Sequence, residues 1–379
     1  MRVERLCNST DIRSLFRRIG VDTGGEAILA QKASLHFIRI DDLHVGAANI
    51  LKQDALSVGA DLAVPKGTVI ASAPRVDAVL IANERQLREL ARKEKAQPFG
   101  LKELAVELES FLGLLRPSHV CVMGIVNANE DSFYRNSRFE GESAVAKIVS
   151  MVEEGAEIID IGGVSSRPGS AAVSADEELR RVKPIIDAVY ERHLSDRARF
   201  SLDSYEPEVI RYALDRGFTI VNDITGLAND DVAKLCGEYN ATAVIMHMLG
   251  TPQTMQHHPE YESVITEIDL FFKERIEKAH AFGVKEIVLD AGIGFGKRLE
   301  DNLALITHQK HLLRHGYPIL VGASRKSLIN VISPSLSEER LPGTLAIHLK
   351  AIEEGASIIR VHDVKEHIQA LRVWEALRG

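Results

Sequence analysis

The stretch AEIIDIGG, Ala156–Gly163, decides the fold of this chain. It is short, nearly all apolar and rich in isoleucine, with Asp160 inside it and two glycines closing it. A strand with one wet face alternates apolar with polar residues. A near-continuous apolar run belongs to a strand covered on both faces, as in a parallel sheet. The pattern recurs on either side of this stretch. HVCVMGIVN (His119–Asn127) precedes it, and RFSLDS (Arg199–Ser204), FTIVND (Phe218–Asp223) and TAVIMHM (Thr242–Met248) follow. EIVLDAG (Glu286–Gly292), PILVGASRK (Pro318–Lys326) and SIIRVHD (Ser357–Asp363) complete a set of eight. Eight such runs, each followed by a helical segment, over roughly 250 residues predict an α/β fold, a (β/α)8 barrel with its active site at the C-terminal strand ends. Those ends carry Asn127, Asp160, Asp203, Asn222, Asp223, His247, Asp290, Lys326, Arg360 and His362. Their convergence on one rim predicts a pocket for a polar, anionic substrate.

The helices between the runs are punctuated as expected. EGESAVAKIVSMVEEG stops at Gly155, and EPEVIRYALDRG has Pro207 in its first turn and Gly217 at its end. The first hundred residues read differently. HFIRIDDL, ADLAVP and VDAVLIAN predict strands, and VGAANILKQDALSVGA and ERQLRELARKEKA predict helices. The expectation is a small α/β module with a three- or four-stranded sheet, whose residues imply no chemistry. LKELAVELESFLGLL (Leu101–Leu115) has helical periodicity and is expected to dock the module on the barrel or to close the barrel floor. Pro117 breaks the chain next, so the expected domains are 1–115, the module, and 116–379, the barrel.

At 379 residues the chain exceeds one ordinary barrel, and 45% hydrophobic residues suffice for a large core. A net charge of −8 and a pI near 6.0 argue against nucleic acid or an anionic membrane as the main partner. Cys7, Cys121 and Cys236 are widely spaced and form no CxxC, which fits a reducing compartment. The N-terminus lacks an apolar core of signal-peptide length, and no segment approaches the ~20 apolar residues of a membrane span. A soluble, cytoplasmic protein is expected.

Asp203, Asn222 and Asp290 end three strands and together can read an amidine-like edge. A carboxylate accepts two N–H bonds in fork geometry, and a carboxamide offers both a donor and an acceptor. Any one of them could instead cap the next helix. IDIGGVSSRPGS joins glycines, serines and Arg167 in a loop suited to an anion. Asn127 at the first strand end can ligate a hard cation or cap a turn. Arg325, Lys326, Arg360 and His362 follow the last two strands, where barrels commonly hold phosphate. GIGFGK imitates a phosphate loop, but Arg298 follows Lys297 where Ser or Thr is required, so its glycines serve a tight turn beside Phe295. His247, His257 and His258 lack a zinc-ligand spacing.

In order along residues 119–379, the motifs MGIVN…DSF, IIDIGGVSSRPG, FSLDS, IVNDI, IMHMLGTP, LDAGIGFGK, LVGASRKS, LPGTLA and IIRVHD resemble those of the dihydropteroate synthases. The resemblance implies a transferase of folate biosynthesis. Its members condense 4-aminobenzoate with 6-hydroxymethyl-7,8-dihydropterin diphosphate, with Mg2+, and release pyrophosphate. The substrates are small molecules, and a homodimer is a further expectation. It implies catalytic roles for Asn127, Ser166, Arg167, Lys326, Arg360 and His362, with Mg2+ at Asn127. It implies substrate binding by Asp203, Asn222, Asp290 and Lys326, with Met246 and Phe295 nearby, and by Ser166 and Arg167 on the aminobenzoate side. Arg360 and His362 would hold the β-phosphate end.

One departure stands out. The family's first loop, NVTPDSFSDGG, is here NANEDSFYRNS, which puts Arg135 where its second Asp belongs. Either Glu130 or Asp131 takes over the stabilisation of positive charge at the pterin methylene, or that stabilisation comes from elsewhere. Two alternatives remain open. One is a non-catalytic pterin-binding paralogue, which Arg135 favours. The other is a pterin-dependent methyltransferase, which SSRPG, SRKS and RVHD disfavour.

Overall fold

The computed structural model describes residues 3, 11–114, 117, 119–128, 137–165, 170, 173–255 and 258–378. The chain divides into two compact units, Met1–Leu115 with Glu375–Gly379, and Arg116–Trp374.

The first unit is built on an antiparallel sheet of β1 (Leu35–His44), β2 (Asp61–Ala63) and β3 (Arg75–Asn83), in the order β1-β3-β2. β1 and β3 pair from Leu35↔Asn83 to His44↔Arg75, with a bulge between Ile40 and Leu43. β3 alternates buried and exposed residues, so one face of the sheet is covered. Leu51, Leu87 and Leu90 from helices Val45–Ser57 and Glu84–Glu94 pack there with Leu62 and Leu80. Asn83 and Gln86 start the second of these helices with a reciprocal capping box. Leu101 and Leu108 of helix Leu101–Ser110 are fully buried in this same core, so that helix is an integral part of the module. Two helices absent from the sequence reading, Ile12–Arg18 and Thr23–Ala33, precede β1.

The second unit is a closed parallel barrel of eight strands. These are β4 (Cys121–Asn127), β5 (Ile158–Gly162), β6 (Arg199–Asp203), β7 (Ile220–Asp223), β8 (Thr242–Met246), β9 (Ile287–Asp290), β10 (Ile319–Val321) and β11 (Ile358–Val361). Each lies within one of the eight apolar runs. The inward residues Cys121, Met123, Ile158, Ile220, Val244, Val288, Leu320 and Ile358 fill the barrel centre as one apolar cluster. The outward residues join the helices in a larger core that includes Phe200, Phe272, Ile148 and Ile186. Gly155 and Gly217 take positive φ values of 114° and 84° after their helices, and Pro207 opens helix Pro207–Leu214. Among the described residues, no helix is long and apolar enough to cross a membrane.

Candidate active site

Strand register carries the polar residues to one level. Asn127 pairs with Gly162, Gly162 with Asp203 and Asp203 with Asn222, while Met246 pairs with Asp290 across β8 and β9. Side chains two residues apart on a strand share a face. The apolar plug of Ile158, Ile220 and Val288 is therefore followed, on the same inward face, by Asp160, Asn222 and Asp290.

Arg360 of β11 organises the centre. Its Nε donates to Asp160 Oδ2 at 2.6 Å and its Nη2 to Asp203 Oδ2 at 2.6 Å, while Asn222 Nδ2 donates to Asp160 Oδ2 at 3.0 Å. Asp160 is fully buried, and its Oδ1 has no hydrogen-bond partner among the described residues. Burial raises the Asp203 carboxyl to about 7, against the pull of Arg360. Burial also opposes the Arg360 cation, but Asp160 and Asp203 more than restore it and hold the guanidinium above its ordinary value. Sequence reasoning put Arg360 at the diphosphate end; its guanidinium lies against Asp203, which was assigned to the pterin, and against Asp160, which was given no role.

Asp290 is buried at the end of β9, where its Oδ1 accepts the Gly292 amide at 2.8 Å and burial raises its pKa. Lys326 donates to the Ile293 carbonyl and sits 3.8 Å over the Phe295 ring. Burial lowers the Lys326 ammonium to about 7, with Asp290 and Asp203 working the other way. The loop that carries Phe295 is held by Lys297, which reaches His247 Nδ1 at 3.0 Å, the His247 carbonyl at 3.2 Å and the Phe295 carbonyl at 2.9 Å. At Gly292, with φ +67°, a Cβ would lie 2.0 Å from the His247 carbonyl oxygen, so this close approach needs glycine.

After β10 and β11, Ser324 Oγ meets His362 Nδ1 at 2.9 Å and accepts its backbone N–H at 3.3 Å. Arg325, at φ 57°, donates twice to Asp363, at 2.9 and 2.5 Å. Burial, with Arg360 adding to it, lowers His362 to about 4, so this imidazole is neutral at pH 7. Beside Asp203 lies a pocket lined by Ser165, Glu178, Ser204, Tyr205, Ile224 and Gln253, and burial raises Glu178 to about 7.

Asp203, Asn222, Asp290, Lys326, Phe295, Met246, Asn127, Arg360 and His362 thus lie on or beside one end of the barrel. Ser166, Arg167, Glu130, Asp131 and Arg135 fall outside the described residues. Asp223 serves the fold: its Oδ1 accepts from the Thr225 amide and hydroxyl, both at 2.7 Å, and its Oδ2 from the Leu227 amide at 2.9 Å. Among the described residues, no group of three His, Cys, Asp or Glu could hold a metal ion.

The pterin binding enzyme family matches residues 123–362. The bifunctional dihydropteroate synthase/dihydropteroate reductase of Helicobacter pylori is 39% identical over 377 residues, covering 100% of this chain and 99% of its own. The dihydropteroate synthase of Escherichia coli is 41% identical over 265 residues, 68% of this chain and 92% of its own. The chain belongs to the dihydropteroate synthase family. It is accordingly a transferase of folate biosynthesis. The solved dihydropteroate synthase of Xanthomonas albilineans superposes with a TM-score of 0.64 at 37% identity, over 69% of this chain and 94% of that one.

With the family in place, Asp160 is the residue the sequence reading used least. It was named among the strand ends but given no role, because its partner Arg360 lies 200 residues away. Lys297 and Ser324 were quoted within motifs and given no role; nothing in the sequence announces that one pins a loop and the other an imidazole.

Proposed function

We propose that the barrel condenses 4-aminobenzoate with 6-hydroxymethyl-7,8-dihydropterin diphosphate to give 7,8-dihydropteroate and pyrophosphate. The observation that carries this is the buried set Asp160, Asp203, Asn222 and Asp290 at one barrel end, with Arg360 and Lys326 among them. Such a set suits the amidine-like N–H edge of a pterin ring. The Xanthomonas albilineans structure, by its description, was solved with 4-aminobenzoic acid.

The chemistry is substitution at the pterin methylene. The C–O bond breaks and the pyrophosphate leaves with the electron pair. The arylamine lone pair then forms the C–N bond, and the amine releases a proton. Asp203, Asn222 and Asp290 fix the ring, and Arg360 neutralises the carboxylates that face it. His362, held by Ser324, donates a hydrogen bond at the diphosphate end, and Ser166 and Arg167 seat the aminobenzoate. Preorganised dipoles of this kind act where charge develops and need no reorganisation. Asn127, whose carboxamide is a hard oxygen donor at the same level, is the residue that would hold a Mg2+ there. When bound, that ion would offset the charge of the leaving group.

The test is dihydropteroate formation from the two substrates with and without Mg2+. Mg2+-dependent product is expected. Tight pterin binding with no product would favour the non-catalytic paralogue and trace the loss to the loop that carries Arg135. Homodimer formation and cytoplasmic residence complete the reading. Val331, Ile332 and Leu336, apolar and exposed on the barrel unit, support an oligomer, which light scattering would test.

A second activity is favoured by one observation. The Helicobacter pylori relative, which matches across the whole chain, module included, is described as a synthase and a reductase, whereas the E. coli synthase covers only 68% of this chain. On that reading residues 1–115 form a separate domain that supports reduction of dihydropteroate. A hydride from a reduced nicotinamide or flavin would reach C6 and a proton N5. Oxidation of neither donor in the presence of dihydropteroate would end this second reading.

A further inference from the structure

Beneath the loops that carry His362 and Arg325 lies a chain of hydrogen bonds that the mechanism above does not use. The Ala323 amide donates to His348 Nε2 at 3.1 Å, His348 Nδ1 meets His367 Nε2 at 2.9 Å, and His367 Nδ1 meets the Asp363 carbonyl at 2.5 Å. Both imidazoles are 1% exposed.

The two ends dictate every proton between them. A backbone amide can only donate, so His348 Nε2 must accept and the proton of that ring sits on Nδ1. A backbone carbonyl can only accept, so His367 carries its proton on Nδ1 and accepts at Nε2. The His348–His367 bond therefore runs from His348 Nδ1–H to His367 Nε2, and no orientation is left free. Burial lowers the pKa of both rings, in keeping with two neutral imidazoles.

This wire ties the residue before Ser324 to the residue after His362. Ser324 Oγ holds His362, and the Asp363 carboxylate holds Arg325, so three cross-links join the same two loops. The buried one uses only backbone atoms of those loops. It thus fixes their spacing whatever their side chains do.

We propose that His348 and His367 are positioning residues that set the loop spacing on which diphosphate recognition depends, an inference that rests on the synthase reading for the ligand but not for the wire. Selective 15N labelling of histidine reads the tautomers in the wild-type protein without any substrate. Protons on Nδ1 of both rings are expected, and an Nε2–H tautomer at either would overturn the proposal.

The functional arm compares His348→Leu with His348→Gln. A glutamine amide presents an acceptor and a donor side by side and can stand between the Ala323 amide and His367. For His348→Leu, which removes both bonds of that ring, pyrophosphate affinity by calorimetry should fall about five- to tenfold, within the net worth of the bonds lost. KM for the pterin diphosphate should rise in step, KM for 4-aminobenzoate should hold, and His348→Gln should recover most of the loss. Equal losses for both substrates, or a glutamine variant no better than leucine, would leave only a structural role and sink the proposal. Should the leucine variant fail to fold, His367→Leu, which keeps the Ala323–His348 bond, is read in the same assays with the same expectations. If the wild-type protein makes no dihydropteroate yet binds pyrophosphate as described, the synthase reading fails and the positioning role stands.

Discussion

Replacing Arg360 with methionine tests the centre of the site, because one cation there serves two buried carboxylates. Its side chain is 20% exposed, and those of Asp160 and Asp203 are 0% and 14% exposed. Removing one member of such a buried group strands the rest and typically costs about 3–5 kcal/mol. The loss must depend on pH. The Asp203 carboxyl already sits near 7 with the guanidinium 2.6 Å away, above the ~3.9 of an unfolded aspartate. A group raised on folding lends stability that is complete below its unfolded value and disappears as pH climbs through its folded value. Without Arg360 the folded value rises further, so the variant goes on losing stability above pH 7 where the wild type has finished. The gap between them should widen with pH by up to ~1.4 kcal/mol per unit. Trp374, the one tryptophan, packs against the barrel core and reports its urea unfolding by fluorescence. At pH 8.5 we expect a loss of about 3–5 kcal/mol, distinctly smaller at pH 6. A loss under ~1 kcal/mol at pH 8.5, or one unchanged between the two pH values, would refute the buried-charge account.

Three further outcomes follow from the same geometry. Asp203→Asn removes a charged acceptor, so pterin affinity measured by calorimetry should fall about 10- to 100-fold; unchanged affinity and turnover would remove Asp203 from the site. Lys297, whose ammonium burial lowers from 10.5 to about 7, binds fewer protons folded than unfolded across that window, so it makes stability rise with pH. Lys297→Met should lack up to ~1.4 kcal/mol per unit of that rise between pH 7.5 and 9.5, and parallel wild-type and variant curves would contradict the assignment. Gly292→Ala would force a Cβ to within 2.0 Å of the His247 carbonyl oxygen, and it should lower Tm measurably and weaken pterin binding through Asp290, whose Oδ1 the Gly292 amide holds. A variant with wild-type Tm would show that this loop gives way.

Much of the barrel was legible because its signals are local. Each strand lies in a near-continuous apolar run, and its last polar residue projects from the rim by register alone. The helices Ile12–Arg18 and Thr23–Ala33 escaped notice for the complementary reason. The first buries none of its residues and the second buries only Ala30, so neither carries an apolar stripe to read. Asp223 and Asp160 show what local signals omit. Both are buried carboxylates near strand ends, and the sequence treats them alike. One is saturated by the Thr225 and Leu227 amides a few residues on, while the other depends on an arginine 200 residues away in the chain. Only long-range pairing separates a turn from a site.

The polarity of the barrel interior then follows from a single energetic argument. A plug from Met123 to Leu320 needs no partners and holds the strands together. Above it, three carboxylates, Asp160, Asp203 and Asp290, are enclosed with Arg360 and Lys326. Burying such groups is unfavourable unless each oxygen finds a donor, and Asp160 Oδ1 finds none among the described residues. A ligand edge rich in N–H groups would satisfy the acceptors that the fold leaves short. The desolvation that makes this end of the barrel weak is therefore also the source of its affinity. Arg360, by donating to Asp160 and Asp203, opposes the burial that pushes the Asp203 carboxyl up and holds both side chains in place as acceptors.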